Sequence, residues 1–148
     1  MTGQVDFFVL NGTAAQDRWR YVCRLTEKAY LQGMRVVILG QGADDIRALD
    51  DMLWTFSDHS FVPHKVCTDQ PDQDTATPVR LMQALPSGDT FAADLLVNLS
   101  QQMPAGIERF SRIAEILDAD PERRRLGRER FKTYRDRQLT LKTHQVDA

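Results

Sequence analysis

Cysteine is scarce in this sequence, and long apolar runs are missing from it. The 148 residues include two cysteines, Cys23 and Cys67, and neither belongs to a CxxC pair or a Cys/His cluster. Two isolated cysteines indicate reduced thiols in a cytosolic protein more strongly than a disulfide. No stretch approaches the ~18–20 apolar residues of a membrane span, and residues 1–6 lack the basic start and apolar stretch of a secretory signal. We therefore expect a cytoplasmic protein.

The motifs that mark common enzymes and metal sites are also missing. The histidines His59, His64 and His144 show no metal-ligand spacing with cysteine or carboxylate residues, and no GxSxG, HExxH or GxxxxGK[ST] motif occurs. Gly40-Gln41-Gly42 follows a predicted strand, but Asp45 stands where a dinucleotide fingerprint needs its third glycine. These absences predict a binding protein with no catalytic residues, no metal and no cofactor.

The hydrophobic pattern predicts a single-domain α/β fold over residues 1–148. Short apolar segments between turn residues are typical of buried strands, and i, i+3, i+4 spacing is typical of amphipathic helices. The predicted strands cover residues 5–10, 34–39, 60–66, 79–82 and 95–99. The predicted helices cover residues 15–32, 44–54, 105–117 and 121–137. We expect three layers with a mostly parallel central sheet, Rossmann-like but without a nucleotide site, a polar loop at 69–78 and a weakly ordered tail at about 139–148.

Positive charge is concentrated near the end of the chain. Although the net charge is −2, residues 123–137 hold eight of the nineteen lysines and arginines against two acidic residues. The rest of the chain carries eleven basic and nineteen acidic residues. At ~1.5 Å per residue the basic stretch predicts a helix of roughly 22 Å. At 100° per residue, one face gathers cations around an aromatic ring: Arg124, Arg128, Phe131, Lys132 and Arg135. Leu126 and Tyr134 fall on the opposite, anchoring side.

The basic helix can be explained as an ordinary solvent-exposed surface, but it is also compatible with several binding functions. Cations around an aromatic ring suit an anionic partner with an apolar end. Direct nucleic-acid binding through the same helix is the alternative, although the acidic remainder of the chain would repel a long polyanion. A third possibility, a small nucleotide-dependent enzyme, predicts that ATP or NAD raises the melting temperature; we expect no such shift.

A second cluster of apolar residues lies near a predicted sheet edge. Trp54 closes the second helix, and Phe61, Val62 and Pro63 follow shortly after it. Pro63 marks an edge strand or an irregular turn, because proline cannot donate to a sheet ladder. An ordinary corner of the core would explain the cluster, and so would a protein–protein interface, where Trp and Phe anchors dominate binding.

Several segments together resemble the chi subunits of bacterial DNA polymerase III holoenzyme. They are Cys23-Arg24-Leu25, Lys28-Ala29-Tyr30, Gly33-Met34-Arg35-Val36, Leu49-Asp50-Asp51-Met52-Leu53-Trp54, Ser60-Phe61-Val62-Pro63-His64 and Arg128-Glu129-Arg130-Phe131-Lys132-Thr133-Tyr134-Arg135. They follow one another in order over nearly the whole chain, and they are specific in combination. Residues 69–94 match weakly and carry no inference.

The resemblance implies an α/β fold that binds no nucleotide and a non-catalytic subunit of the clamp-loader assembly. Such a subunit links the clamp loader, through the psi subunit, to the single-stranded DNA-binding protein, so that DNA is reached indirectly. The ligand in that family is the acidic C-terminal tail of the binding protein, which ends in a Phe carboxylate.

The resemblance also implies site residues. The tail-binding positions are Arg128, Phe131 and Lys132, with Arg124 one turn earlier and Leu117 as an apolar pocket position. Phe131 stands where the family often has Tyr, which keeps the ring and loses the hydroxyl. The surface for the psi subunit includes Trp54, Phe61, Val62 and Pro63, and some members offer this surface to an accessory helicase.

Overall fold

A parallel sheet forms the centre of the protein. The computed structural model describes residues 2–58, 61–67, 76–85 and 93–146. Within these residues the strands are β1 (Gln4–Leu10), β2 (Val36–Leu39), β3 (His64–Val66), β4 (Val79–Met82), β5 (Leu95–Asn98), β6 (Arg112–Leu117) and β7 (Thr140–Val146). The helices are α1 (Ala15–Leu31), α2 (Ala43–Thr55) and α3 (Pro121–Asp136), with a 3₁₀ turn at Ile107–Arg109. The strand order is β3-β4-β2-β5-β6-β1-β7, and each neighbouring pair is parallel.

The helices cover both faces of the sheet, which gives the predicted three-layer α/β fold. On one face, apolar residues of α1 and α2 pack on the strands, where Val22 and Leu49 share one core cluster with Ile38. On the other face, Tyr134 of α3 joins the core around Phe7. Because the central strands are buried on both faces, they read in the sequence as continuous apolar runs, which is why most of them were predictable.

The helix predicted over residues 105–117 is wrong. The chain forms the 3₁₀ turn at Ile107–Arg109 and then strand β6, which lies between β5 and β1. Ile113 faces the α3 layer and Ile116 faces the α1 layer, so apolar residues occur at successive positions and imitate helical spacing. Pairing with β5 and with the distant strand β1 decided the conformation here, and local periodicity carries no information about such pairing.

The weakly ordered tail predicted from about residue 139 is also wrong. Residues Thr140–Val146 form β7, an edge strand paired in parallel with β1 from Gln4↔Thr140 to Leu10↔Val146. Leu141 packs against the α3-side core. The strand is polar because one of its edges and much of its surface face solvent, and that polarity hides it in the sequence.

The other sequence-based predictions concern the arrangement of the strands, the cysteines, the polar loop and membrane spans. β1 and β2 are parallel strands of one sheet, as predicted, but β6 and β5 separate them. Cys23 and Cys67 are free thiols, and burial raises the pKa of Cys23 to about 12. Most of the polar loop predicted at 69–78 lies outside the described residues. No described helix is long and apolar enough to cross a membrane.

Candidate functional site

Helix α3 starts at a well-formed N-terminus. The Asp120 carboxylate accepts a hydrogen bond from the backbone N–H of Arg123 at 2.8 Å, which satisfies one of the open donors of the first turn. Pro121 occupies the first turn, where its missing N–H costs nothing. The cap sets the first residue of α3. The direction in which each later side chain points around the helix then follows from its position in the sequence.

A buried acid fixes the inner face of α3. Glu115 of β6 is fully buried and accepts hydrogen bonds from Tyr134 Oη at 2.7 Å, Arg130 Nε at 3.1 Å and Asn98 Nδ2 at 3.0 Å. Burial raises the pKa of Glu115, while the charge of Arg130 and these hydrogen bonds act in the opposite direction. Arg130 also donates to the carbonyl of Gln101 at 2.8 Å. Two adjacent turns of α3 are thus tied to the sheet by one carboxylate.

Close packing brings α3 down onto the end of β6. A Cβ atom built on Gly127 would lie 2.6 Å from Cδ1 of Leu117, so this glycine lets the helix approach the strand. Leu117 is 6% exposed and belongs to the core beneath α3. Leu117, predicted as an apolar pocket position, lies beneath the basic helix, and its side chain offers little open surface of its own.

Most arginines of α3 are engaged within the protein. Arg123 holds Asp118 through two hydrogen bonds of 2.9 Å, and Arg125 lies between Glu122 and Glu129. Arg124 donates to the carbonyls of Asp118 and Leu10, at 2.8 and 3.3 Å. These contacts neutralise or occupy much of the charge that the sequence places here.

Two exposed cations remain beside an aromatic ring. Within the described residues, Arg128 and Lys132 have no hydrogen-bond or ion-pair partner, and both are exposed. Phe131 is half-buried, and its ring centroid lies 5.3 Å from that of Phe7. Residues at i, i+3 and i+4 share a helix face, so the structure brings together Arg128, Phe131 and Lys132 as predicted.

The second predicted surface is present with one correction. Trp54 is 54% exposed and Phe61 is 64% exposed, and their ring centroids are 5.7 Å apart. Pro63 is half-buried beside them. Val62 is 1% exposed and packs in the core, so its side chain cannot contribute to the surface. The extended segment alternates its side chains, and Val62 points inward where Phe61 points outward.

His64 supports this apolar patch from below. Its Nδ1–H donates to the carbonyl of Val62 at 2.6 Å, and its ring centroid lies 4.5 Å from that of Trp54. The Asp50 carboxylate approaches Nε2 at 3.2 Å. The histidine, the first residue of the edge strand β3, therefore has a structural role: it contacts α2 through Asp50 and packs against the Trp54 ring.

The crevice at the carboxyl ends of the strands, where parallel sheets often bind nucleotides, lacks a basic residue among its described lining residues. It is a cavity of about 400 Å³ at the carboxyl ends of β2, β4 and β5. Gly40 is explained by packing, because a Cβ atom there would lie 2.7 Å from Cδ1 of Ile46. Gly40 therefore serves the approach of α2 to the sheet, whereas a Cβ atom on Gly42 would meet open space.

Comparison with known proteins decides the family. The family model for the DNA polymerase III chi subunit, HolC, matches residues 1–142. The chain belongs to the DNA polymerase III chi subunit family. The DNA polymerase III subunit chi of Pseudomonas aeruginosa is 34% identical over 97% of this chain and 96% of its own length. The subunits chi of Haemophilus influenzae and Escherichia coli are each 25% identical, over 99% and 82% of this chain and 99% and 81% of their own lengths.

Solved structures add support for the fold alone. The crystal structure of T4 UvsW matches 99% of this chi-family chain with a TM-score of 0.74 at 10% sequence identity. The chain spans 42% of the length of that structure. A likeness at this identity concerns the arrangement of helices and strands, and nothing is transferred from UvsW to the sites described above.

Arg130 is the residue of the site that the sequence-based predictions missed. In the sequence it is one of the eight basic residues of positions 123–137, but in the structure its side chain is buried and forms an ion pair with Glu115. Its spacing carried the signal, since Leu126, Arg130 and Tyr134 follow one another at i, i+4 on the anchoring face of this chi-family helix. A long charged side chain in line with a buried tyrosine indicates an internal acidic partner.

Proposed function

We propose that the chain is a non-catalytic adaptor in DNA replication. Its family consists of accessory subunits of DNA polymerase III. We infer that α3 binds the acidic C-terminal tail of the single-stranded DNA-binding protein. The Trp54–Phe61 surface would bind a second protein, the psi subunit of the clamp loader.

The observation that carries the proposal is the pair of free cations on α3. Arg128 and Lys132 have no partner within the described residues, while Arg123, Arg124, Arg125 and Arg130 are engaged. A carboxylate can accept two parallel hydrogen bonds from the planar guanidinium of Arg128, and Lys132 adds a second charge. The half-buried ring of Phe131 shares their helix face and would supply the apolar wall for a terminal Phe side chain.

The other predicted tail-binding residues take supporting parts in this proposal. The guanidinium of Arg124, near the start of α3, donates to two backbone carbonyls. Arg124 would therefore help to hold α3 in place and would contact the ligand little. Leu117 supports α3 from beneath through its contact with Gly127. Binding would then depend mainly on Arg128, Phe131 and Lys132.

The expected affinity is modest. Exposed charge pairs contribute from near zero to about 1 kcal/mol each, and a disordered tail loses entropy when it becomes ordered. We expect a micromolar dissociation constant, which corresponds to a binding free energy of about 7–8 kcal/mol. Binding should weaken as salt is raised, because salt screens the attraction between the charges. Several tails on one oligomeric partner would raise the avidity.

The second surface suits a protein partner. Trp54 and Phe61 expose two large rings side by side at the edge of the sheet, and buried aromatic anchors dominate most interfaces. An accessory helicase that used the same surface would compete with the psi subunit. The two proposed surfaces lie on different elements, α3 and the α2–β3 edge, so both partners can bind together.

Anisotropy of a labelled acidic peptide that ends in Pro-Phe with a free carboxylate tests the tail proposal. We expect micromolar binding by the full chain, clearly weakened when the same peptide is amidated and when salt is raised. Equal binding of the amidated peptide would contradict carboxylate recognition by Arg128. Binding of an oligonucleotide that is lost on Arg128→Ala, with no binding of the peptide, would assign α3 to nucleic acid instead.

A further inference from the structure

A cleft on the opposite side of the sheet from α3 is not used by the proposed function. It encloses about 560 Å³ between α1, strand β1 and the edge strand β7. Its walls belong to the α1 side of the sheet, where Phe8 packs with Tyr21, whereas Phe7 and Leu141 face α3. The volume falls in the range of small-ligand sites, roughly 300–1,000 Å³.

The rim of the cleft is cationic. Arg24 and Lys28 lie one turn apart on α1, and Lys142 of β7 lies among the same lining residues. None of the three has a hydrogen-bond or ion-pair partner in the part of the chain that the structure describes, and all are exposed. In a chain of net charge −2, three unpaired cations around one cleft attract an anion.

The acid among the described lining residues is already neutralised. Asp6 accepts hydrogen bonds from Arg112 Nη2 at 3.0 Å, from Gln4 Nε2 and from the ring of His144 at 3.0 Å. Burial alone would raise the pKa of Asp6, but these hydrogen bonds outweigh it and hold the pKa below its usual value. The carboxylate is therefore occupied by its own partners, and the three rim cations remain available for an external anion.

The wall of the cleft is a stack of flat rings. The His144 ring lies on Phe8 with centroids 4.8 Å apart and 15° between planes, and Tyr21 packs on Phe8 at 5.4 Å. The His144 side chain is 43% exposed, so part of the stack is open to the cleft. Leu25 and Met34 add apolar surface.

We propose that this cleft binds a short segment of single-stranded DNA. Exposed rings on which bases stack, beside cations that hold successive phosphates, are the two features that sequence-independent single-strand sites combine. Arg24, Lys28 and Lys142 would contact phosphates, and a base would extend the Phe8–His144 stack. The stack distinguishes this ligand from an acidic peptide, and the small volume accommodates one or two nucleotides while excluding a duplex.

Anisotropy with a labelled ten-nucleotide thymidine oligonucleotide tests the proposal. For single strands, log K falls with log salt by about 0.7 per neutralised phosphate, so three contacts predict a slope of about −2. The triple variant Arg24→Ala/Lys28→Ala/Lys142→Ala should weaken binding about tenfold or more and bring the slope towards zero. The matched control, Arg128→Ala/Lys132→Ala on α3, should leave oligonucleotide binding unchanged.

A second variant examines stacking while it keeps the rim charges. His144→Gln places an amide N–H near the position of the ring Nε2 that donates to Asp6 but removes the ring, and we expect binding to weaken about fivefold to tenfold. Thermal unfolding of each variant checks that the fold is retained.

Three outcomes would overturn the proposal: no oligonucleotide binding by the full chain, binding unchanged in the triple variant, or binding lost in the α3 control. Loss of acidic-peptide binding in the triple variant would assign the cleft to a peptide. Failure of the tail peptide to bind at all would count against the proposed function alone, because the oligonucleotide assay does not depend on α3.

Discussion

Gly127 of α3 lies directly over Leu117 of β6, so close that a Cβ atom on residue 127 would be 2.6 Å from Leu117 Cδ1 and 3.0 Å from Cδ2. Glycine normally weakens a helix interior by about 1 kcal/mol relative to alanine. The close approach explains why it occurs at this position, since it sets the height of the basic helix above the sheet.

Replacing this glycine should disturb α3 more than helix propensity suggests. Gly127→Ala gains about 1 kcal/mol of propensity but overpacks the contact with Leu117, which typically costs 1–3 kcal/mol. We expect a net loss of about 1 kcal/mol in the free energy of unfolding, measured by urea denaturation. Combining it with Leu117→Val should cost less than the two changes added separately, because the smaller side chain makes room. Strict additivity would contradict the contact.

The free energy of unfolding should fall by different amounts when different members of the hydrogen-bond network around Glu115 are removed. Tyr134→Phe deletes one hydrogen bond to a buried carboxylate and should lower the free energy of unfolding by about 1–3 kcal/mol. Glu115→Leu leaves Arg130 buried without its partner and should cost more, about 3–5 kcal/mol. Urea denaturation of both variants measures the order. A smaller loss for Glu115→Leu than for Tyr134→Phe would show that the ion pair does not hold α3.

Acid should weaken the start of α3 through Asp118. Burial raises the pKa of this carboxyl, but hydrogen bonds from Arg123 and from the backbone N–H of Asp120 outweigh burial and leave its pKa below the usual value. A carboxyl with a depressed folded-state pKa adds stability above its unfolded pKa, about 4, and this stability is lost as pH falls through the lower, folded-state pKa. Denaturation between pH 7 and pH 2 should show a shallower decline for Asp118→Asn than for the unaltered chain. Equal slopes would contradict this role.

The aromatic surface and the core beside it should respond in opposite ways. Trp54→Ala should abolish capture of the psi subunit with little change in melting temperature, because the ring is largely exposed. Val62→Ala, one residue from Phe61, should lower the free energy of unfolding by about 2 kcal/mol, since Val62 is buried. Co-purification and thermal unfolding measure the two effects. Retained capture with Trp54→Ala would move the partner elsewhere.

The sequence determined the elements that local pattern controls. Helix α3 could be placed because its signals, Pro121 at the start, the charge run and Tyr134 on the inner face, all lie within or next to the helix itself. Strand β7 could not, because a polar edge strand is stabilised by pairing with β1, more than 130 residues away in the chain. Strand β6 was mistaken for a helix for a similar reason, since it pairs with β5 on one side and on the other with β1, more than 100 residues earlier in the chain.

The sequence could predict which residues belong to the candidate sites, but not which partners they contact or which way every side chain points. The charge count located Arg128, Phe131 and Lys132, yet it could not show which arginines of α3 are engaged, because their partners Asp118, Glu115 and the carbonyl of Leu10 come from other elements. The inward side chain of Val62 depends on the register of an irregular segment. The cationic cleft between α1 and β7 exists only once the chain has folded.

Titration of the labelled free-acid peptide into the full chain and two single variants tests the central claim most directly. Arg128→Ala removes a free cation at the proposed site, and Arg137→Ala removes an exposed arginine after the end of the same helix. We predict that Arg128→Ala weakens binding at least about tenfold, or 1.4 kcal/mol, while Arg137→Ala changes it less than about twofold. Equal losses in the two variants would mean that α3 attracts the peptide by charge alone, and unchanged binding in both would place the peptide on another surface.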